Sequence, residues 1–104
     1  MEKEVTVVRI YIHEADHGRR KNLMQEILNI LHDQQRVKVV TVFRGIAGMG
    51  DSGQVRAADI LRIMVDLPLV IEFFDEPPVV DAVLGLLGGL LHEGQVVSWR
   101  ATCH

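Results

Sequence analysis

The chain has 104 residues, 11 basic and 14 acidic, for a formal charge of −3, and 48% of it is hydrophobic. That length supports one domain spanning residues 1–104, and the acidic balance lacks the basic surface that a nucleic-acid partner needs. The aromatic content is one Trp, one Tyr and three Phe, so the core must be built from Val, Leu and Ile. That much aliphatic surface in so small a chain points to a buried subunit interface. The single cysteine, Cys103, has no partner for an intrachain disulfide, which fits a reducing compartment. The N-terminal MEKEVTVV carries acids where a secretory leader has a basic region. The most apolar run, Val79 to Leu91, is broken by Asp81 and three glycines and is shorter than the ~20 residues of a bilayer span. A cytoplasmic protein is expected.

In chain order, Val5 to Ile12 is rich in β-branched residues and reads as a strand. Val5 and Val7 fall on one of its faces, and Thr6, Val8, Ile10 and Ile12 on the other. His13 to Arg20 is a polar connection. From Asn22 to about Gln34 the residues Leu23, Met24, Ile27, Leu28, Ile30 and Leu31 recur with helical spacing. Val37 to Arg44 is a second strand, followed by a stretch punctuated by Gly45, Gly48, Gly50 and Gly53. Gln54 to Asp66 is open between helix and extended chain, and Pro68 ends it. Leu69 to Phe74 is a third strand. Asp75-Glu76-Pro77-Pro78 suits a helix start, with an acid to cap free N–H groups and proline in the first turn. That helix is expected to run to about His92, apolar nearly all round with more than one face buried, and to stop at Gly94. Gln95 to Thr102 is the last strand. The order is β-α-β twice, which gives an α+β, ferredoxin-like βαββαβ fold: a four-stranded antiparallel sheet with two helices on one face. The uncovered sheet face keeps apolar residues and calls for a partner.

Two literal motifs stand out. His13-Glu14-Ala15-Asp16-His17 spells HExxH, whose zinc chemistry needs both imidazoles on one helical turn. Here it follows a strand and is cut off by Gly18, so a solvated polar connection is expected, and no metal site. A metal-responsive protein using His13, Glu14 and His17 is the alternative. Gly48-Met49-Gly50-Asp51-Ser52-Gly53 spells GxGxxG with Glu72 further on, yet the chain is too short for a dinucleotide fold. Gln54 and Val55 stand where a P-loop needs Lys and Ser or Thr. The stretch reads as a long glycine-rich loop that folds around an anion or a partner. It is slightly basic, with Arg44, Arg56 and Arg62 against Asp51 and Asp59. Trp99 reads as a core residue, with stacking or lining an interface together with Arg100 as the alternative. Arg9 and Glu72 lie inside apolar strands, where a buried pair, with each other or with Arg44, is the structural reading. No catalytic arrangement is present in the sequence, so an enzyme is not expected.

The stretches RIYIHEAD, FRGIAGMG and ILRIMVDLPLVIEFFD resemble an uncharacterised bacterial family of PII-like proteins, relatives of the nitrogen regulatory protein PII, over about residues 5 to 100. The resemblance implies a homotrimer with the sheets facing its centre and a mobile loop, here at about 45–59. It also implies a small anionic ligand, an adenine nucleotide among the candidates, in clefts between subunits at the loop base. No cofactor is required. The implied ligand contacts are Arg44, Gly45, Gly48, Gly50, Ser52 and Arg100. The implied partner-binding loop holds Asp51, Gly53, Gln54, Arg56 and Asp59 and would engage an enzyme or a membrane transporter. Departures from PII are Asp51 and Ser52 after the Gly-x-Gly, the lone His92-Glu93-Gly94-Gln95 before the last strand, and the absence of a loop tyrosine, Tyr11 being the only one. His13 also stands where closer relatives are expected to have glycine. A ligand-free structural interaction module is the remaining alternative.

Overall fold

The computed structural model describes residues 2–18, 22–35, 37–49 and 67–104, together with the backbone of 55–57. Strand β1 (Lys3–His13) occupies the middle of a four-stranded antiparallel sheet. Its neighbours are β5 (Pro68–Asp75) and β6 (Val96–Cys103), and β2 (Val39–Arg44) closes the far edge beside β5. The order β2-β5-β1-β6 is that of the ferredoxin-like βαββαβ fold expected from the sequence. A separate two-stranded ribbon pairs β3 (Ala47–Met49) with β4 (Val55–Ala57). The segment left open between helix and extended chain therefore holds a strand at its start. Pro68 opens β5 rather than ending the preceding segment; proline is tolerated as the first residue of a strand, where its missing donor breaks no ladder.

Side chains alternate across a strand, and the sheet divides accordingly. Val8, Ile10 and Ile12 of β1 and Leu69, Ile71 and Phe73 of β5 are buried beneath the helices. The helical layer contributes Leu23, Ile27 and Leu31 from the first helix and Val80, Val83 and Leu87 from the second. No polar residue is buried among the described residues.

Helix α1 (Leu23–Asn29) begins where Asn22 Oδ1 accepts from Gln25 N at 2.8 Å. The expected helix to Gln34 changes character at Ile30, where Ile30–Gln34 is a π-turn and Gln35 N donates to Ile30 O. The wider turn lets Leu31 stay in the core while Val37 N closes onto Leu31 O. Replacing Asn22 by alanine should lower stability by about 1 kcal/mol, with aspartate retaining most of it; denaturant titration of the three proteins checks this.

Helix α2 (Pro77–Leu87) starts on the two prolines, but Glu76 makes no side-chain cap. Its carboxylate is instead 2.6 Å from Lys3 Nζ, and this ion pair holds the Glu76 carboxyl below its usual range. The helix ends five residues short of His92, at a cap on Gly88. A turn follows in which Leu90 N and Leu91 N both donate to Leu87 O. Gly94, at φ +91, shapes the next turn, before β6, and does not stop the helix. Only one face of α2 is buried, and Leu86 is exposed.

Trp99 is not a core residue. It is 42% exposed on the open sheet face, and the Arg9 guanidinium lies 5.7 Å from its ring centroid. Arg9 Nε donates to Glu72 Oε1 at 2.7 Å, so these two pair with each other. The pair is half-buried rather than buried, with side chains 42% and 26% exposed.

Candidate functional site

One end of the sheet gathers four chain segments: the end of β1, the end of β2 with the first residues beyond it, the start of β5, and the turn into β6. Between them lies a cavity of about 650 Å³ walled by Tyr11, His13, Gly45, Gly48, Pro68 and Gln95, among others. Gly45 N donates to Pro68 O at 2.8 Å, which seats the loop base on β5. A Cβ on Gly45 would stand 2.7 Å from Pro68 Cγ, and one on Gly48 3.0 Å from the same atom. The proline ring thus takes the space that two side chains would need, and only glycine lets the backbone lie so close.

The opposite wall is equally built. Tyr11 N donates to Gln95 O at 2.9 Å, and Gln95 Nε2 returns to Tyr11 O. Gln95 Oε1 also accepts from His92 N at 2.6 Å, which closes the turn that precedes β6.

His13 ends β1, and its backbone N donates to Asp16 Oδ2 at 2.9 Å. Its Nδ1 is buried without a hydrogen-bond partner. Glu14 is engaged by Arg44, whose Nε donates to Glu14 Oε1. That hydrogen bond and the carboxylate's charge raise the Arg44 pKa above its ordinary value. Residues 13–17 form a strand end and a turn, with His17 bridged to Asn22. Among the described residues no three His, Cys, Asp or Glu side chains converge as a metal site.

Of the expected ligand contacts, Gly45 and Gly48 come together at the cavity, with Arg44 next to them in the chain. Arg100 lies on β6 opposite Thr6, with Nη1 3.9 Å from Glu4 Oε1. Arg44 aligns through Leu69 with Ile12, six residues from Thr6 along β1 and so about 20 Å away in one protomer. Gly50 and Ser52 lie outside the described residues, as do Asp51, Gly53, Gln54 and Asp59 of the expected partner loop. Arg56 falls in β4, described in backbone only. Sequence reasoning missed Tyr11, Pro68 and Gln95 as wall residues. They come from three distant segments, joined by the β1–β5 register that sets His13 opposite Pro68 and by the bond from Tyr11 N to Gln95 O.

Comparison with known proteins agrees with this architecture. Residues 5–103 match the model of the DUF190 family, described as "Uncharacterized ACR". The chain is 33% identical over 78 residues to the UPF0166 protein MJ1524 of Methanocaldococcus jannaschii, covering 75% of this chain and 70% of that one. Among solved structures it is similar to CPII, a nitrogen regulatory PII-like protein from Thiomonas intermedia K12, bound to ADP, AMP and bicarbonate. The TM-score is 0.68 at 14% identity, over 100% of this chain and 97% of that one. A putative PII-like signaling protein from Thermus thermophilus gives a TM-score of 0.62 at 12% identity, over 98% and 89% of the two chains. With its glycine-seated cavity at the mouth of a ferredoxin-like sheet, this chain belongs to the DUF190 family and has the fold of the PII-like proteins.

Proposed function

We propose that the chain is a cytoplasmic PII-like regulatory protein and not an enzyme. It assembles as a homotrimer and binds a small anionic ligand, an adenine nucleotide, in clefts between subunits at the loop base. The loop of about residues 45–59 carries the state of that cleft to a target, an enzyme or a membrane transporter. The observation that carries this reading is the cavity whose wall is Gly45 and Gly48 packed on Pro68. A ligand there touches the root of the loop, so occupancy and loop shape are linked by contact. The cavity volume lies within the ~300–1,000 Å³ of small-molecule sites, and backbone donors beside glycines suit phosphate or carboxylate oxygens. Positive charge for such a ligand comes from Arg44, once it leaves Glu14, and from Arg100 of a neighbouring subunit. The ligands bound to CPII are of this chemistry. The test is a thermal-shift and calorimetric panel of ATP, ADP, AMP and bicarbonate on chelator-treated protein. A nucleotide at ~100 times its Kd should stabilise by about 2.7 kcal/mol, and deleting residues 49–57 should abolish partner capture. No shift with any nucleotide would defeat the reading.

A further inference from the structure

The open face of the sheet is a layered surface. The register sets Val39, Phe74, Val7 and Trp99 in one row across the four strands. Phe43, Val70 and Tyr11 form another. Between them runs a row that carries charge, Thr41, Glu72, Arg9 and Val97, while Lys3 stands beside Cys103 at the far end of β1. Arg9 and Glu72 are thus a charged centre with an apolar row on either side. Tyr11, Val39, Phe43, Val97 and Trp99 are all exposed.

A charge in the middle of an apolar docking surface strongly opposes association unless it arrives paired. Here it does: the Arg9–Glu72 hydrogen bond neutralises both groups within one protomer, and Trp99 takes the guanidinium face. The pairing is incomplete. A guanidinium has five N–H donors and a carboxylate two oxygens, so Arg9 keeps spare donors and Glu72 keeps Oε2. The surface left over has equal numbers of positive and negative groups side by side. A second copy of the same face, suitably rotated, offers an acceptor for each spare donor, whereas a purely apolar partner would leave them buried and unsatisfied. Four strands by about seven residues give only ~400 Å², below the ~800 Å² per partner of stable complexes. Just past Phe43 in the chain, Ile46 and Met49 are also apolar and exposed, at 80% and 70%.

We infer that the Arg9–Glu72 pair is the contact by which copies of this chain recognise one another, each pair completing its hydrogen bonds on the pair of the neighbouring copy. The inference rests on the self-association proposed above and adds the residues that decide it. Breaking one member leaves an unpaired charge in the interface, a loss of roughly 30-fold or more in affinity.

The test is sedimentation velocity of the full chain across a concentration series, with circular dichroism on each protein. Arg9→Glu and Glu72→Arg, each alone, should be folded and dissociated. The double reversal in one chain restores the pair with its ends exchanged and should assemble with itself. Glu72→Gln keeps the shape and removes only the charge, so its weakening stands even where a reversal fails to fold. Single variants that assemble like the wild type would overturn the inference, as would a folded double reversal that stays dissociated. A wild type that is monomeric at micromolar concentration would instead remove the self-association on which it rests.

Discussion

Alanine at Phe73 is expected to leave the protein close to unfolded at physiological temperature. Phe73 is 1% exposed, stands opposite Val8 on one side and Val40 on the other, and faces the helical layer. Emptying such a site costs about 3–5 kcal/mol, because the transfer free energy of the ring is lost and the cavity does not fully collapse. A domain of this size has only ~5–15 kcal/mol in total. In a thermal melt the midpoint should fall by about 15 °C or more. Its neighbour supplies the control. Phe74 has the same side chain one residue along, where the strand's alternation turns it to the open face beside Val7. Phe74→Ala should leave most of the protomer's stability in place. Equal losses at the two positions would contradict the assignment of faces.

Valine at Gly45 is expected to abolish ligand binding in the cavity and to lower stability by about 1–3 kcal/mol. The added Cβ meets Pro68 Cγ at 2.7 Å, inside contact distance, and the atom it meets belongs to a ring with little room to retreat. Relief requires the loop base to lift from β5, which stretches the bond from Gly45 N to Pro68 O. The matched control is Gly85, in α2, where a Cβ would meet nothing within 4 Å. Gly85→Ala should be neutral or stabilising by about 0.5–1 kcal/mol, since glycine in a helix interior is the poorer residue. Calorimetric titration of both variants with ADP checks the pair: retained affinity in Gly45→Val would mean the loop base is no part of the site.

Much of the architecture was legible in the chain because each element carried its own periodicity. The β-branched run from Val5 and the 3.6-residue pattern from Leu23 led to a strand and a helix within one or two residues of their observed starts. The misreadings share a cause: local pattern is silent about what lies on the other side. Trp99 in an apolar strand looked like core, yet it stands 42% exposed on the open face of the sheet. The second helix looked longer because Leu90 and Leu91 continue its apolar pattern, although the chain turns at Gly88 and packs them from outside the helix. The glycines of the loop base announced a close approach, but not to what. That Pro68 is the surface they lie against depends on the pairing of β2 with β5, a relation between segments about 20 residues apart in the chain. Glu14 was visible only as part of a zinc-like word; its engagement with Arg44 is a product of topology.

That ion pair has a geometry of its own. Arg44 ends β2 and Glu14 follows β1, and these strands are not neighbours, since β5 runs between them. The pair therefore crosses the entry of β5 like a stitch over a seam, with Glu14 N also fastened to Leu67 O. The chain leaves the sheet at Arg44 and re-enters it at Pro68, just past Leu67, so both limbs of the loop are tacked down at one place. An exposed pair of this kind is worth at most about 1 kcal/mol, weak enough for a bound anion to outcompete. An anion that claimed Arg44 would undo this side-chain link across the loop's root, while the backbone bonds from Glu14 N to Leu67 O and from Gly45 N to Pro68 O would stay. Under the function proposed above, Glu14 would be the group that holds Arg44 until an anion took its place.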